Sequence, residues 1–336
     1  MTFPLPSVAA TSRLTVPRGA ALAVLAFLSC APIAVMAAEP SSLRFHSVRA
    51  ADGVMLNVVE TGPAAGTPVL FLHGVGQSWL SWRQQLEGPL AGRLRLVAMD
   101  LRGHGDSAKP ADPVAYREVC RWADDVRAVQ QALGLERPVL VAWSFGGLVA
   151  MHYLRCEGAG GLRGLVLVAT AAGRLVTPPT AAPTAGAQRA AAAARAMVDP
   201  DLRRNLQGAR DFAVLMTATP PDPAWYDETV AALLRLPAYV RRGLTGDLVG
   251  RDGKPISSNA DLADAIKLPL MVVTGGRDAL SDGAALAEAY RSRYPAARVQ
   301  VYADSGHSPF AEESQRFDTD LAAFISSISD PPRDGG

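Results

Sequence analysis

The sequence predicts an α/β fold: a doubly wound, mostly parallel, eight-stranded sheet. Short apolar, β-branched runs recur along the chain, amphipathic segments separate them, and the middle runs are continuously hydrophobic. Strands that are buried on both faces are continuously apolar, and alternation of strands with helices is typical of parallel sheets. With 336 residues the chain is long enough for one such domain with an inserted segment.

Eight apolar runs are the predicted strands. They are LRFHSVR (43–49), VMLNVVE (54–60), PVLFLH (68–73), LRLVAMD (94–100), PVLVAWS (138–144), LRGLVLVAT (162–170), LPLMVVTG (268–275) and ARVQVYAD (297–304). Asp52-Gly53 predicts a hairpin between the first two. Helical periodicity separates later strands, as in ADDVRAVQQALG, where Gly134 predicts the end of the helix.

The alternation stops at residues 173–263. The stretch 177–196 is rich in Ala, Pro and Thr and is either a mobile loop or the entry to a helix, and helical patterns follow near 199–218 and 225–243. We therefore expect a helical cap at 173–263, inserted into a core formed by 39–172 and 264–330.

The N-terminal segment 1–38 is expected to lie outside this fold. Arg13 and Arg18 precede an apolar run, 20–38, that ends in small residues, which is typical of a cleaved secretory signal. An uncleaved membrane anchor is the alternative, and Cys30 is a candidate lipid-attachment residue. We expect an exported protein, periplasmic or secreted, that contacts the membrane only if this segment is retained.

Composition restricts the partners and the cysteine chemistry. Hydrophobic residues make up 49% of the chain and charged residues 19%, and the net charge of +1 gives no reason to expect a nucleic-acid partner. Cys120 and Cys156 lie at opposite ends of consecutive predicted helices, roughly 18 Å apart along a helix. A disulfide needs Cα atoms about 6 Å apart, so we expect two free thiols.

The stretch LVAWSFGGLVA (140–150) places Ser144 where a strand ends and a helix begins. A serine on such a sharp corner is held above the sheet edge, which is the geometry of the nucleophile elbow G-x-S-x-G. Ala142 replaces the first glycine and Gly146 matches the last. Ser144 is therefore the candidate nucleophile.

Two later motifs supply the partners that a serine nucleophile needs. His307, in DSGHSPFAEE, and Asp278, in VVTGGRDALSD, each follow a predicted strand. The order Ser, Asp, His is the order expected for this arrangement, with the histidine as general base and acid and the aspartate as its orienter. Asp282 and Asp304 are rivals of Asp278, and we expect Asp282 to face solvent or to cap a helix.

An oxyanion needs two preorganised N–H donors. We predict the backbone N–H groups of Phe145 and of Val75, which lies in the loop FLHGVGQSW after the third strand. His73, Gly74 and Trp143 are the predicted substrate-binding residues, although His73 could instead brace the oxyanion loop. The loop DLRGHGDS (100–107) is predicted to be structural, and no metal site is expected.

Together these motifs resemble the α/β-hydrolase family over residues 44–328, apart from the cap. The motifs that show this resemblance are FLHGVGQSWLSW, DLRGHGDSAKP, VAWSFGGLVA, GGRDAL and SGHSPFAEE. The chain is most similar to small esterases related to pimeloyl-carrier-protein methyl esterase, to enol-lactonases and to cofactor-free haloperoxidase-type esterases. The resemblance implies an α/β-hydrolase fold and no cofactor. Dehalogenases and epoxide hydrolases of this fold carry an aspartate at the elbow, where this chain has Ser144.

The predicted function is hydrolysis of a small to medium ester, lactone or thioester through an acyl-enzyme on Ser144. A small-molecule acyl compound is the expected partner, and the sequence leaves the oligomeric state open. The alternatives are a C–C bond hydrolase with the same triad, a ligand-binding protein of slow turnover, or a peptidase. In a peptidase, Glu228 or Asp227 of the cap would bind the substrate amine.

Overall fold

The structure of the protein is a computed structural model that describes residues 43–177 and 184–328. The predictions for the N-terminal segment 1–38, and those for residues 178–183, lie outside the described residues. None of the described helices combines the length and the apolar character that crossing a membrane requires.

The predicted doubly wound, mostly parallel sheet of eight strands is confirmed. Its spatial order is β1-β2-β4-β3-β5-β6-β7-β8. Antiparallel pairing is confined to β1 with β2 and β2 with β4, and the other neighbours are parallel. The strands are β1 Arg44–Arg49, β2 Met55–Thr61, β3 Thr67–Leu72, β4 Leu94–Met99, β5 Val139–Trp143, β6 Gly164–Val168, β7 Leu270–Gly275 and β8 Arg298–Tyr302.

The continuous apolar runs arise because the sheet is covered on both faces. Successive side chains of a strand point to opposite faces. In β3, Leu70 and Leu72 accordingly join one hydrophobic layer, and Val69 and Phe71 join the other. A strand whose two faces both pack into hydrophobic layers has no polar face.

Helices cover the two faces and connect the strands. They are α1 Arg83–Leu86, α2 Val114–Arg117, α3 Val119–Leu133, α4 Phe145–Glu157, α5 Ala185–Ala196, α6 Leu202–Val214, α7 Pro223–Arg235, α8 Ala238–Leu244, α9 Gly283–Arg293, α10 Pro309–Glu312 and α11 Ser314–Ser327. Short 3-10 turns lie at Trp79–Trp82, Pro89–Gly92 and Ala260–Leu262. Gly134 ends α3 with φ +59°, the left-handed conformation that glycine adopts readily after a helix.

Helices α5–α8, here called the helical segment, connect β6 to β7. Within the described part of this connection no strand forms, although Val249 makes isolated bridges to Glu118 and Pro255. The Ala-rich stretch, which the sequence left open, forms α5 from Ala185 onward. Thr184 caps this helix, because its side chain accepts the N–H of Ala187 at 2.9 Å.

The prediction of two free thiols is wrong, because Cys120 and Cys156 form a disulfide with Cα atoms 5.7 Å apart. The prediction placed the start of α3 and the end of α4 at opposite edges of the sheet, separated by the length of a helix. The two helices instead pack together so that the start of α3 meets the end of α4. Arg127, further along α3, also reaches Glu157 at 3.6 Å.

Candidate active site

Ser144 sits at the junction of β5 and α4 with φ +52° and ψ −114°, a backbone conformation that is costly for a residue with a side chain. Its N–H donates to the carbonyl of Val168 at 2.9 Å. Gly146 makes the sharp turn possible. A Cβ there would lie 2.6 Å from the Leu72 carbonyl oxygen and 2.9 Å from that of His73.

The structure brings Ser144, His307 and Asp278 into one hydrogen-bonded chain. His307 Nε2 lies 2.9 Å from Ser144 Oγ, and His307 Nδ1 lies 2.8 Å from Asp278 Oδ2. All three follow the carboxyl ends of parallel strands, β5, β8 and β7, where sites in such sheets form. This arrangement can transfer a proton from the hydroxyl to the imidazole.

Asp278 is held as an anion by its surroundings. Burial by itself raises the pKa of this carboxyl, but electrostatic interaction and a hydrogen bond with His307, together with hydrogen bonds from Ser281 and Leu280, leave the pKa below its usual value. The Ser281 hydroxyl donates to Oδ2 at 2.6 Å and the Leu280 N–H donates to Oδ1 at 2.8 Å. A fixed anion at Nδ1 selects the tautomer whose Nε2 is free to accept the Ser144 proton.

The two rival aspartates lie elsewhere. Asp282 caps α9 by accepting the N–H of Ala285 at 2.9 Å, as the sequence predicts. Asp304 forms an ion pair with Arg277 at 2.9 Å, and its side chain is 79% exposed. Neither carboxyl is hydrogen-bonded to His307.

The prediction that His73 binds substrate is wrong, because its ring is fully buried and both nitrogens are used. Nδ1 donates to the Gly74 carbonyl at 2.7 Å and Nε2 accepts the Leu101 N–H at 3.0 Å. Burial lowers the pKa of His73, which keeps the ring neutral as this pattern requires. Because the Gly74 carbonyl and the Val75 N–H belong to one planar trans peptide, His73 fixes the direction of that N–H.

Trp143 is also fully buried, so its predicted contact with substrate is wrong as well. Its indole Nε1–H donates to the backbone carbonyl of His307 at 2.7 Å. Trp143 therefore anchors the loop that carries His307. This role was not predicted, although strand alternation was a signal, since adjacent residues point to opposite sides of a strand.

Val75 and Phe145, the predicted oxyanion donors, lie on the two chain segments that meet at Ser144. Phe145 begins α4 directly after Ser144, and Val75 follows Gly74, which lies against the nucleophile. A Cβ on Gly74 would be 3.4 Å from Ser144 Cβ. Among the described residues, neither N–H has a backbone or side-chain acceptor, so both are available to a ligand.

The loop DLRGHGDS is held by its own polar groups, as the sequence predicts. Asp100 accepts the N–H groups of Trp79 at 2.7 Å and Asp106 at 2.8 Å. The buried Arg102 forms ion pairs with Asp125 and with Asp52. Within 43–177 and 184–328, no group of three or more His, Cys, Asp or Glu side chains has the arrangement of a metal site.

The helical segment contacts the loops that carry Asp278 and His307. Thr184, at the start of α5, donates its hydroxyl proton to the Ala279 carbonyl at 2.7 Å. Glu312 accepts the Gly306 N–H at 2.8 Å and the Ala218 N–H at 2.7 Å, and so joins the histidine loop to this segment. Burial raises the pKa of Glu312 although backbone N–H groups oppose the rise. This role of Glu312 was not predicted, although the residue lies within the motif SGHSPFAEE.

A cavity of about 430 Å³ lies between the sheet edge and the helical segment, within the usual size range of small-molecule sites. Val75 and Phe145 line its core side. The opposite wall is mostly apolar and comes from α5–α8 and the α5–α6 loop; it includes Met197, Phe212, Leu233 and Leu244.

Comparisons with known proteins agree with this architecture. The chain is 34% identical to a Burkholderia cenocepacia protein assigned as an aryl esterase, with a TM-score of 0.74 over 85% of this chain and 99% of that one. It is 29% identical to the esterase RhEst1 from Rhodococcus sp. ECU1013, with a TM-score of 0.73 over 85% and 99% of the two chains.

Several curated relatives match over a shorter region. Epoxide hydrolase 4 from Mus musculus is 37% identical over 119 residues, which is 35% of this chain and 29% of that protein. The chain thus matches less than a third of this relative's length. The model of the alpha/beta hydrolase family matches residues 69–319, which contain most of β3, all of β4–β8 and all three residues of the hydrogen-bonded chain. The chain belongs to the alpha/beta hydrolase family.

Proposed function

We propose that this hydrolase is a serine esterase that cleaves carboxylic esters through an acyl-enzyme on Ser144. The observation that carries the proposal is the continuous hydrogen-bonded chain from Ser144 Oγ through His307 to Asp278. A serine hydroxyl becomes a useful nucleophile when a positioned base removes its proton.

The reaction follows from the positions of these groups. His307 Nε2 accepts the hydroxyl proton as Ser144 Oγ bonds to the ester carbonyl carbon, and the carbonyl oxygen becomes an oxyanion. The N–H groups of Val75 and Phe145 stabilise it. The C–O bond to the alcohol then breaks, and His307 gives its proton to the departing alcohol. Water, deprotonated by His307, releases the acid and restores Ser144 in the same way.

The nature of the nucleophile supports ester chemistry over epoxide opening. The family resemblance assigns an aspartate at the elbow to epoxide hydrolases, and this chain has serine there. Two neighbours that match nearly their whole length are esterases by their descriptions, whereas the epoxide hydrolase match covers 119 residues. The reaction class therefore follows from the site, because a fold alone hosts many functions.

We also propose that residues 173–263 act as a cap over the core and that the cavity between them receives the acyl or alcohol part of the ester. The peptidase alternative is less well supported. Glu228 is paired with Arg83 and Asp227 is exposed, and neither lines the cavity. A substrate amine would therefore meet no free acid there.

An exported location remains part of the proposal. The Cys120–Cys156 disulfide supports it, because structural disulfides persist in oxidising compartments such as the periplasm and the extracellular space. Recovery of the mature chain from the periplasm or medium, with its N-terminus sequenced, tests this part.

The proposed activity is tested with 4-nitrophenyl acetate, butanoate and octanoate on the wild type and on Ser144→Ala. Turnover of at least one ester that falls by about 10³-fold or more in the variant is expected, because the covalent route is lost. Styrene oxide serves as the competing substrate. Turnover of the epoxide that survives Ser144→Ala, with no ester hydrolysis, would overturn the proposal.

A further inference from the structure

The charges around the cavity have one sign. The polar side chains that line the cavity include Arg195, Arg241 and Arg242, and its lining contains no aspartate or glutamate. The remaining lining is almost entirely apolar. Such a cavity repels cations and attracts anions, and its low-polarity walls strengthen both effects.

Arg241 is the unusual member of the three. It lies on α8, its guanidinium donates to the Leu233 carbonyl, and its Nε is buried with no hydrogen-bond partner within the described residues. No carboxylate forms an ion pair with it in this part of the chain. Burial lowers the pKa of its guanidinium to about 10.

Arg102 shows how the same chain treats a buried guanidinium that has a purely structural role. It is paired with Asp125 at 2.7 Å and Asp52 at 2.9 Å. A buried charge without a counter-ion is costly and is normally paired. Arg241 lacks such a partner and borders the cavity that Val75 and Phe145 also line, so an anion brought by a ligand would supply the missing charge.

We propose that the preferred substrate is an ester that carries a carboxylate, which pairs with Arg241 in the cavity while the ester carbonyl lies at Val75 and Phe145. This inference rests on the proposed esterase function. The exposed Arg195 and Arg242 contribute longer-range attraction for the same charge. The carboxylate belongs either to the acid part or to the alcohol part of the ester, and matched substrates separate the two.

The test compares kcat/KM within two pairs of esters at pH 7.5. For the acid part the pair is 4-nitrophenyl hydrogen adipate and 4-nitrophenyl hexanoate. For the alcohol part the pair is 4-acetoxybenzoate and 4-acetoxybenzamide, each corrected for uncatalysed hydrolysis. At least one anionic ester is expected to exceed its neutral partner by tenfold or more, which is about 1.4 kcal/mol.

In Arg241→Met that ratio is expected to fall to near one, and Arg241→Lys, which keeps the positive charge, should retain part of it. Arg204→Met is the matched control, because Arg204 lies on α6 outside the cavity with a side chain that is 73% exposed. Because both esters of a pair meet the same enzyme, a general loss of stability cancels in the ratio.

Ratios near or below one in the wild type, or a ratio above ten that persists in Arg241→Met, would overturn the inference and leave the esterase proposal standing. The two failures are distinguishable. If no ester is hydrolysed and Ser144 does not react with a fluorophosphonate, the proposed function fails and this inference fails with it.

Discussion

The hydrogen bond from Trp143 to the His307 carbonyl gives a sharp test of how His307, the proposed general base, is held. Trp143→Phe removes the indole N–H that donates at 2.7 Å and leaves an aromatic ring in place. A buried carbonyl that loses its donor costs about 1–3 kcal/mol. If the loop relaxes partly, we expect a fall in kcat of about tenfold, equal to about 1.4 kcal/mol of activation free energy.

Trp82→Phe is the matched control. Trp82 is also fully buried, and both tryptophans pack on Phe310. The ring centroid of Phe310 lies 4.3 Å from that of Trp82 and 4.9 Å from that of Trp143. Its indole N–H has no hydrogen-bond partner among the described residues. The two substitutions delete the same atoms, so the difference between them isolates the hydrogen bond.

The assay measures kcat and KM for a 4-nitrophenyl ester, with urea unfolding of each variant to establish that it is folded. We expect the loss in Trp143→Phe to fall on kcat, because a displaced histidine impairs proton transfer more than binding. Equal losses in the two variants, or a Trp143→Phe enzyme with wild-type kcat, would refute the positioning role.

Three further predictions concern stability and the elbow. Replacing Cys120 and Cys156 by serine removes a cross-link between residues 36 apart, and by loop entropy this lowers the free energy of unfolding by about 4 kcal/mol. Urea unfolding should show the loss. The prediction is contradicted if a reductant changes the stability of neither the wild type nor the variant. Gly146→Ala should abolish ester hydrolysis, because the added methyl meets backbone carbonyls, whereas Gly92→Ala, which meets nothing within 4 Å, should match wild type in rate and melting temperature. If Gly146→Ala is fully active, the close approach at the elbow is not required. Burial holds His152 neutral by lowering its pKa to about 3, so the folded state loses stability as pH falls below the unfolded pKa near 6.5. Between pH 7.5 and 4.5 the wild type should lose about 3 kcal/mol more than His152→Leu, and superimposable pH profiles of unfolding would contradict this.

The strands and the three residues of the hydrogen-bonded chain could be predicted because each depends on local pattern. Parallel strands buried on both faces must be apolar throughout, so β5 and its neighbours stand out from the sequence. Ser144, Asp278 and His307 each directly follow such a run or lie a few residues beyond it. The topology then brings the ends of β5, β7 and β8 to one edge without further information from the side chains.

The errors concern how elements pack against each other. The disulfide depends on the way α3 packs against α4, and this packing cannot be predicted from the lengths of the two helices. The buried positions of His73 and Trp143 depend on which neighbours receive their polar atoms. For Trp143, its place one residue before Ser144 in a strand already indicated the opposite face.

Reaction with a fluorophosphonate tests the activated serine most directly and needs no knowledge of the substrate. The probe is applied to the folded wild type, to Ser144→Ala and to His307→Ala, and the modified peptide is identified by mass spectrometry. We predict a single adduct on Ser144, absent in the first variant and formed at least a hundredfold more slowly in the second. A folded wild-type protein that forms no adduct, or one that reacts equally fast without His307, would contradict the assignment of Ser144 as a nucleophile activated by histidine.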